Sequence, residues 1–249
     1  MSFGIKITND NGYLTFSDTN DYYFYRETLG SANATVQFGQ RFYWTTSYDG
    51  ATVPLVFIYS NGYFASIIDT FRNANGTWQI HVWCDWQQAT NTKNNIQGYV
   101  FSQSTESISN PIYGIRINNS SGNRVFDSDM QIVKVKDFAT VPAASTSYPD
   151  CNQESSGVYY QQAQNHGVTG LVKPAAILYS NGGTLRSCSV FVPGFGTFDG
   201  CNFSKCVHKI TSTQILTGWA YMGKTFIQCN SNNYRPISYI TPVIDGNDY

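Results

Sequence analysis

Apolar residues recur along most of the chain with a period of two, in short runs separated by Asn-Gly, Asp-Gly and Ser-Gly pairs. This pattern is typical of antiparallel strands joined by tight turns, because asparagine and glycine accept the positive φ angles that hairpin turns require. Helical periodicity is scarce along the chain. The sequence therefore predicts an all-β protein.

The alternation is cleanest over residues 77–84, where successive side chains of a strand point to opposite faces of a sheet. One face carries Trp78, Ile80, Val82 and Cys84, and the other carries Thr77, Gln79, His81 and Trp83. The wholly apolar first set is expected to face a core. Other strands are predicted at 4–8, 13–16, 22–26, 34–38, 41–46, 52–59, 63–68, 98–102, 112–117, 124–127 and 131–135.

Two pairs of segments resemble each other within the chain. Residues 4–12 match residues 114–122 without a gap, and each match is followed by a Phe-(Ser/Asp) pair. A shorter match relates 58–62 to 178–182, which share Tyr-Ser-Asn-Gly. Either a β unit has been duplicated, or hairpins in an asparagine-rich β protein have converged on the same turn chemistry.

The segment 138–150 breaks the alternation with two prolines and small polar residues, as linkers between domains do. Cysteine usage also changes here, since five of the six cysteines follow this segment and Cys84 alone precedes it. We therefore predict two domains. Residues 1–140 form an antiparallel β-sandwich, and residues 150–249 form a second β-rich domain that contains cysteines.

Charge is scarce, with 15 Lys and Arg against 16 Asp and Glu, and the charged fraction is 12%. That is about half the usual share, and no Lys/Arg block occurs, which argues against a nucleic-acid partner or an anionic membrane surface. No apolar run reaches the length of a membrane span, and the start lacks the charged and apolar regions of a leader, so synthesis in a cytoplasm is expected. Aromatic residues make up 16% of the chain, enough large side chains to build a core and to exclude disorder.

Candidate catalytic chemistry is sparse. His81, His166 and His208 are the only histidines, and no Gly-x-Ser-x-Gly nucleophile turn accompanies them. Cys201, Cys206 and His208 lie close in sequence, but the paired Cys-x2-4-Cys spacing of zinc sites is absent. Free thiols, disulfides and a metal site all stay open for the cysteines. We predict no catalytic residue, no metal ligand and no cofactor.

Aromatic clusters are the remaining candidates for binding. Tyr22-Tyr23-Phe24-Tyr25 and the tryptophans around Trp83 hold more rings than one strand face hides. They can fill a core shared by two sheets, anchor a protein interface, or stack on sugar rings. The candidate ligand-binding residues are Trp83, Trp86, Tyr22, Tyr23 and Tyr25.

Residues 4–12, Gly-Ile-Lys-Ile-Thr-Asn-Asp-Asn-Gly, and residues 113–128, Tyr-Gly-Ile-Arg-Ile-Asn-Asn-Ser-Ser-Gly-Asn-Arg-Val-Phe-Asp-Ser, carry a resemblance to a known family. The segment from about residue 3 to residue 137 resembles small proteins of unassigned biochemistry that are encoded among the tail genes of long-tailed bacteriophages. Members of that family share a hairpin of the Tyr-Gly-Ile/Leu to Val-Phe-Asp-Ser type after a set of aromatic strands. The motif is a hairpin with no chemistry attached, and residues 150–249 share no such resemblance.

The resemblance implies a non-enzymatic structural protein of the virion, at the tail tip or the fibre attachment region. It implies docking on other tail proteins (hub, fibre or tube) and a homo-oligomer or ring with threefold or sixfold symmetry. Low charge favours such packing between subunits. The alternative function is a carbohydrate- or receptor-binding module of the tail.

Overall fold

A computed structural model of the protein describes most of its residues. These are residues 4–9, 12–17, 22–38, 41–84, 93–103, 116–118, 121–122, 124–127, 130–145, 158–167, 170–192, 194, 196–225, 232–234 and 237–249.

The protein is all-β, as the period-two pattern predicts. Besides strands, the described residues form two 3-10 turns, Ser31–Asn33 and Gly246–Asp248. The strands, in chain order, are β1 Gly4–Asn9, β2 Gly12–Ser17, β3 Tyr23–Leu29, β4 Ala34–Phe38, β5 Arg41–Thr45, β6 Leu55–Tyr59, β7 Ala65–Arg72, β8 Trp78–Cys84, β9 Gln97–Gln103, β10 Arg116–Asn118, β11 Arg124–Asp127, β12 Asp137–Val141, β13 Val158–Asn165, β14 Pro174–Ala176, β15 Gly183–Val192, β16 Gly196–Ile210, β17 Gln214–Thr225, β18 Asn232–Tyr234 and β19 Tyr239–Asp245.

These strands form antiparallel sheets of three sizes and two separate hairpins. The six-stranded sheet has the order β12-β19-β14-β6-β9-β3, and the four-stranded sheet has the order β4-β5-β8-β7. A five-stranded sheet, β13-β17-β16-β15-β18, is built from the later part of the chain. The hairpins are β1-β2 and β10-β11.

The six-stranded and four-stranded sheets pack face to face as a sandwich around one core. Trp44, Phe42 and Ile80 of the four-stranded sheet meet Leu29 and Val56 of the six-stranded sheet in this core, and all are at most 1% exposed. The predicted inner face of β8 is confirmed, since Trp78, Ile80, Val82 and Cys84 are all buried in it. Because each sheet buries one face, the alternation in the sequence follows directly from the sandwich.

The sandwich contains strands from both sides of the predicted linker. β12 pairs with β19, and β14 pairs with both β19 and β6. The first four residues of the predicted linker 138–150 belong to β12. Two prolines and small residues concealed this short strand, whose inward positions are Ala139 and Val141. The division into two domains stays a prediction, but the six-stranded sheet contains strands from both predicted domains, 1–140 and 150–249.

The predicted strand at 131–135 is also wrong. This stretch makes one isolated bridge, between Ile132 and Phe24, and is otherwise an extended segment. Its backbone runs beside the outer strand of the sheet, where Tyr25 donates to Gln131 O and Val133 donates to Tyr23 O. The segment therefore covers the β3 edge of the six-stranded sheet without forming a continuous ladder.

Both copies of the longer internal match form hairpins, but their registers differ. Ile5 lies opposite Phe16 in the first hairpin, whereas Ile117 lies opposite Phe126 in the second. Ile117 corresponds in sequence to Ile7, so the pairing is shifted by two residues. Turn chemistry is common to the two hairpins, while strand register is not.

The outer face of the six-stranded sheet holds a second apolar cluster. Phe57, Tyr99 and Phe101 are its largest buried members, and Tyr249 lies against them with its ring 5.0 Å from that of Phe101. The Tyr249 hydroxyl accepts a hydrogen bond from Lys134 N at 2.6 Å and donates to Ile132 O at 3.2 Å. Tyr249 therefore holds residues 130–136 against this face by hydrogen bonds to Lys134 and Ile132.

Replacement of Gly246 tests how tightly this cluster packs. A Cβ at Gly246 would overlap the ring of Tyr99, so we expect Gly246→Ala to lower the free energy of unfolding by about 2 kcal/mol. Gly30→Ala is the matched control, because no atom lies within 4 Å of its added Cβ and its φ is -133°. Urea unfolding monitored by fluorescence measures both. Equal stability of the two variants would show that the Tyr99 region is loosely packed.

Deletion of the later strands tests how far the two segments depend on each other. A fragment of residues 1–145 lacks β14 and β19, so β6 and β12 lose sheet partners and the core loses Val243 and Leu178. We expect the fragment to be unfolded and the full chain to melt in one cooperative transition. Near-ultraviolet circular dichroism and amide NMR dispersion provide the measurement. A folded, cooperatively melting fragment would establish residues 1–140 as an independent domain.

Candidate functional site

Trp83, one of the predicted ligand-binding residues, lies on the outer face of β8 but is engaged by neighbours. Its half-buried ring packs against a cluster that includes Phe64, Val207 and Met222. The Arg41 guanidinium lies over the ring, 5.7 Å from its centroid. A cation above an aromatic face occupies the surface that a sugar would stack on. Trp83 therefore links the four-stranded and five-stranded sheets.

A row of rings crosses the same outer face beside Trp83. The ring of His81 stacks on Tyr43 with centroids 5.2 Å apart and an interplanar angle of 15°. On its other side lies Phe71, at 4.8 Å. The rings face one another across strands β5, β8 and β7, because Tyr43 and Asp69 are the register partners of His81. The sequence placed His81 on this face, but it did not reveal Tyr43 or Phe71, whose strands come together only in the sheet.

The electrostatics of this row favour a neutral imidazole. Burial lowers the pKa of His81, the nearby Arg41 lowers it further, and Asp69 acts in the opposite direction. Gln79 Oε1 is 3.2 Å from His81 Nε2 and accepts a hydrogen bond when that nitrogen carries the proton. A neutral ring between two aromatic rings contributes packing to the sheet surface.

The predicted tyrosines lie on the six-stranded sheet, in a cluster different from that of Trp83. Tyr25 stacks on Tyr249 at 5.3 Å and meets the edge of Phe101 at 5.9 Å. Tyr23 packs against the same outer cluster, and Tyr22 lies 6.5 Å from the ring of Phe24. All three tyrosines are half-buried. The structure therefore groups Tyr23 and Tyr25 with each other and not with Trp83, whereas the ring neighbour of Tyr22 is Phe24, outside that cluster. Trp86 lies outside the described residues.

An exposed apolar surface occurs at the β12–β19 end of the six-stranded sheet. Phe138 and Ile240 are 66% and 72% exposed, and Ile237, two residues before β19, is 68% exposed. Phe138 lies opposite Pro242, and Ile240 lies opposite Thr140, so Phe138 and Ile240 are diagonal neighbours on one face. We call Phe138, Ile237 and Ile240 the apolar corner. Nothing in the sequence separated these three residues from core residues, because exposure depends on which sheet faces are covered.

His208 is the most deeply buried histidine among the described residues, and it connects the five-stranded sheet to β7 and to the segment after β14. Its ring nitrogens lie 2.8 Å from Thr217 Oγ1 and 2.8 Å from the carbonyl oxygen of Tyr179. Its backbone N–H donates to Ser66 Oγ at 2.9 Å. Because the carbonyl can only accept, Nε2 carries the proton and Nδ1 accepts from the threonine hydroxyl. Both nitrogens are thus engaged within the protein, which disfavours His208 as a metal ligand.

The cysteines with described side chains are buried thiols. Cys84 lies in the sandwich core, and Cys206 packs with Ala144 and Trp219. Burial raises the pKa of Cys206 to about 12, so its thiol stays protonated and poorly nucleophilic. Among the described residues, no three His, Cys, Asp or Glu side chains lie close enough to hold a metal ion. For Cys188 and Cys201 only the backbone is described, and Cys151 and Cys229 lie outside the described residues.

Comparisons with protein-family models, curated proteins and solved structures found no match to this chain. The resemblance to phage tail proteins therefore stands on the hairpin residues at 4–12 and 113–128 alone. Within the described part of the chain, no helix has the length and hydropathy needed to cross a bilayer.

The buried position of His208 predicts a pH-dependent stability. Burial lowers its pKa from 6.5 to about 4, so between these pH values the unfolded chain binds a proton that the folded chain does not. The free energy of unfolding is therefore highest, as far as His208 is concerned, above about pH 6.5. It falls by about 3 kcal/mol in all as the pH is lowered toward 4, because protonation then favours the unfolded chain. We expect His208→Gln to remove this part of the pH dependence. Urea unfolding at pH 7.5 and pH 4.5 measures it.

His166→Gln is the matched control for the loss of a histidine, since it lies at a different position with one ring nitrogen 3.0 Å from Thr211 O. If His208→Gln keeps the full pH dependence of the wild type, the neutral state of His208 does not contribute to stability in this range.

Proposed function

We propose that this chain is a non-enzymatic structural protein of a bacteriophage tail, at the tip or the fibre attachment region. The observation that carries the proposal is the apolar corner, where three large apolar side chains are about two-thirds exposed. Full burial of each would contribute roughly 1.5–3 kcal/mol to association. Phe138 and Ile240 lie side by side on one sheet face, and exposed apolar side chains grouped in this way are typical of interaction sites. The tail setting comes from the hairpin resemblance.

The apolar corner continues a surface that the protein already covers. Along β19, the outward residues are Ile240, Pro242 and Ile244, and Ile244 belongs to the outer aromatic cluster. Tyr249 and residues 130–136 cover the cluster at one end, while Phe138 and Ile240 stay exposed at the other. A partner protein placed over the corner would extend this cover across the sheet.

The charge distribution supports docking by apolar contact. Lys136 is paired with Asp248 at 2.9 Å, so the cation next to β12 is already neutralised. The carboxylate of Asp137 accepts from the Phe138 N–H at 2.7 Å. Lys136 therefore carries no unpaired charge, and Asp137 is the ionic group beside Phe138 whose desolvation would oppose burial of the corner. Self-association into a ring is the form of docking that tail symmetry implies.

The aromatic residues on the outer faces of the four-stranded and six-stranded sheets give less support to the carbohydrate-binding alternative. The faces of Tyr43, His81 and Trp83 are turned toward other rings or toward Arg41. Tyr25 is likewise stacked on Tyr249. Stacking on a sugar requires an open ring face, and these faces are largely used within the protein.

Substitution of the apolar corner tests the proposal in phage particles. We expect the double variant Phe138→Ser/Ile240→Ser to fold but to be depleted at least about tenfold from purified virions, since the loss of two buried side chains removes several kcal/mol of docking energy. A phage with a nonsense mutation in this gene is complemented with each variant. Quantitative mass spectrometry of the virions and electron microscopy of the tails provide the measurement.

Val53→Ser is the matched control, because Val53 is 60% exposed but lies outside the corner. Absence of the wild-type protein from purified virions contradicts the tail assignment. Normal incorporation of the double variant contradicts docking through the corner.

A further inference from the structure

A groove of about 260 Å³ opens where three loops meet, away from the apolar corner. One wall is the turn after β6, the second is the loop before β14, and the third is the turn between β16 and β17. The volume is just below the roughly 300–1,000 Å³ of pockets for drug-sized ligands, and it suits one small ring. The lining residues are Tyr59, Asn61, Gly62, Leu171, Val172, Pro174, Ile210, Thr211 and Ser212.

Hydrogen bonds fix the first wall against the third. The buried Ser60 hydroxyl accepts from Ile210 N at 3.1 Å and donates to Ile210 O at 3.3 Å. This pair joins the turn after β6 to the end of β16. Within the first wall, the Tyr59 hydroxyl donates a hydrogen bond to Asn61 Oδ1 at 2.9 Å.

Asn61 and Gly62 are the central residues of a tight turn at this wall, closed by a hydrogen bond from Tyr63 N to Ser60 O at 2.8 Å. The φ of Asn61 is +42°, a left-handed conformation that asparagine accepts in such turns. Because Tyr59 engages its side-chain oxygen, the orientation of the Asn61 amide is set. The amide nitrogen makes no hydrogen bond to the described residues, so both of its N–H groups are available to a ligand.

The second wall is fixed by a carboxylate. Asp245 accepts hydrogen bonds from Val172 N at 3.0 Å, Lys173 N at 2.9 Å and Asn247 N at 3.0 Å. Gly246 N donates to Lys173 O at 2.8 Å. The three walls are thus positioned by buried polar groups behind them, as a preorganised binding site requires.

The chemistry of the lining selects a class of ligand. None of the lining residues carries a formal charge at neutral pH, so an ionic ligand would find no countercharge. Leu171, Val172 and Pro174 supply an apolar wall, and Tyr59 supplies a ring. The Asn61 amide donates, and the Ser212 hydroxyl, which has no hydrogen-bond partner among the described residues, both donates and accepts. A neutral sugar has the matching surface, with C–H faces between hydroxyl groups.

We propose that this groove binds a neutral sugar unit, held by contact with Tyr59 and the apolar wall and by hydrogen bonds to Asn61 and Ser212. The Asn61 amide oxygen is held by Tyr59, so the directions of its N–H groups are set. These N–H groups can select a sugar hydroxyl group that lies at the matching position. The site stands independently of docking through the apolar corner, with which it shares no residue. It also differs from the aromatic set that the sequence suggested.

Asn61→Gly provides a sharp test. Glycine adopts the left-handed φ without strain, so the turn is retained while both amide N–H donors are removed. The full-length protein is screened on an array of neutral and acidic glycans, and the neutral monosaccharide at the end of the best ligand is titrated by NMR. We expect binding to neutral glycans and an affinity at least about tenfold weaker for Asn61→Gly, through the loss of its hydrogen bonds.

Ser212→Ala is expected to weaken binding in the same direction, whereas Thr213→Ala is the matched control, because Thr213 is exposed beside the groove but does not line it. Thermal melting establishes that each variant is folded. Absence of any neutral glycan ligand overturns the proposal, as do unchanged affinities in both Asn61→Gly and Ser212→Ala. Selective capture of acidic glycans or of a peptide at these residues also overturns it. Phe138→Ser/Ile240→Ser should leave sugar binding unchanged, which separates this site from the docking surface.

Discussion

The structure depends on the position of β19 between β12 and β14. Through β14 this late strand is connected to β6, so a sheet that begins with early strands is completed by late ones. Val243 and Ile244, neighbours on β19, point into the sandwich core and the outer cluster respectively. One strand thus supports both faces of the six-stranded sheet. Pairings so distant in sequence require closure of a long loop, and the entropy that this closure costs is offset only when the strands pair and pack.

The third sheet is attached to the sandwich by buried polar groups as well as by apolar contacts. His208 binds Thr217 within its own sheet and reaches Tyr179 beside the six-stranded sheet, while Ser66 of β7 accepts from its backbone. Ser60 makes a similar connection to Ile210. Hydrogen bonds of this kind depend on direction, so they fix the orientation of the five-stranded sheet relative to the sandwich. Ile210 and Ile215 add apolar contact with the sandwich core, which does not depend on direction.

The surfaces of the protein differ in how completely their side chains are engaged. Rings on the outer face of the four-stranded sheet are stacked on one another, and those near Tyr249 are covered by the 130–136 segment. Phe138 and Ile240 lie beyond that cover, and the groove at Asn61 presents amide and hydroxyl groups without charge. A docking surface and a sugar site would use these two regions in different ways, one through apolar area and the other through oriented donors.

Local pattern alone determined the all-β class, the two faces of β8 and the hairpins β1-β2 and β10-β11, because alternation and turn chemistry are properties of neighbouring residues. The same rules predicted a strand at 131–135 that the structure lacks, and they did not predict β12. The neighbour of residues 131–135 is Tyr23 and the neighbour of β12 is β19, and both are distant in sequence. Tyr43 and Phe71 became neighbours of His81 only by strand pairing. Whether Trp83 or Ile240 meets solvent was decided by which elements cover each sheet face. The solvent exposure of a side chain is therefore set by long-range packing. A periodic sequence specifies which residues share a sheet face, but it does not specify which elements pack against that face.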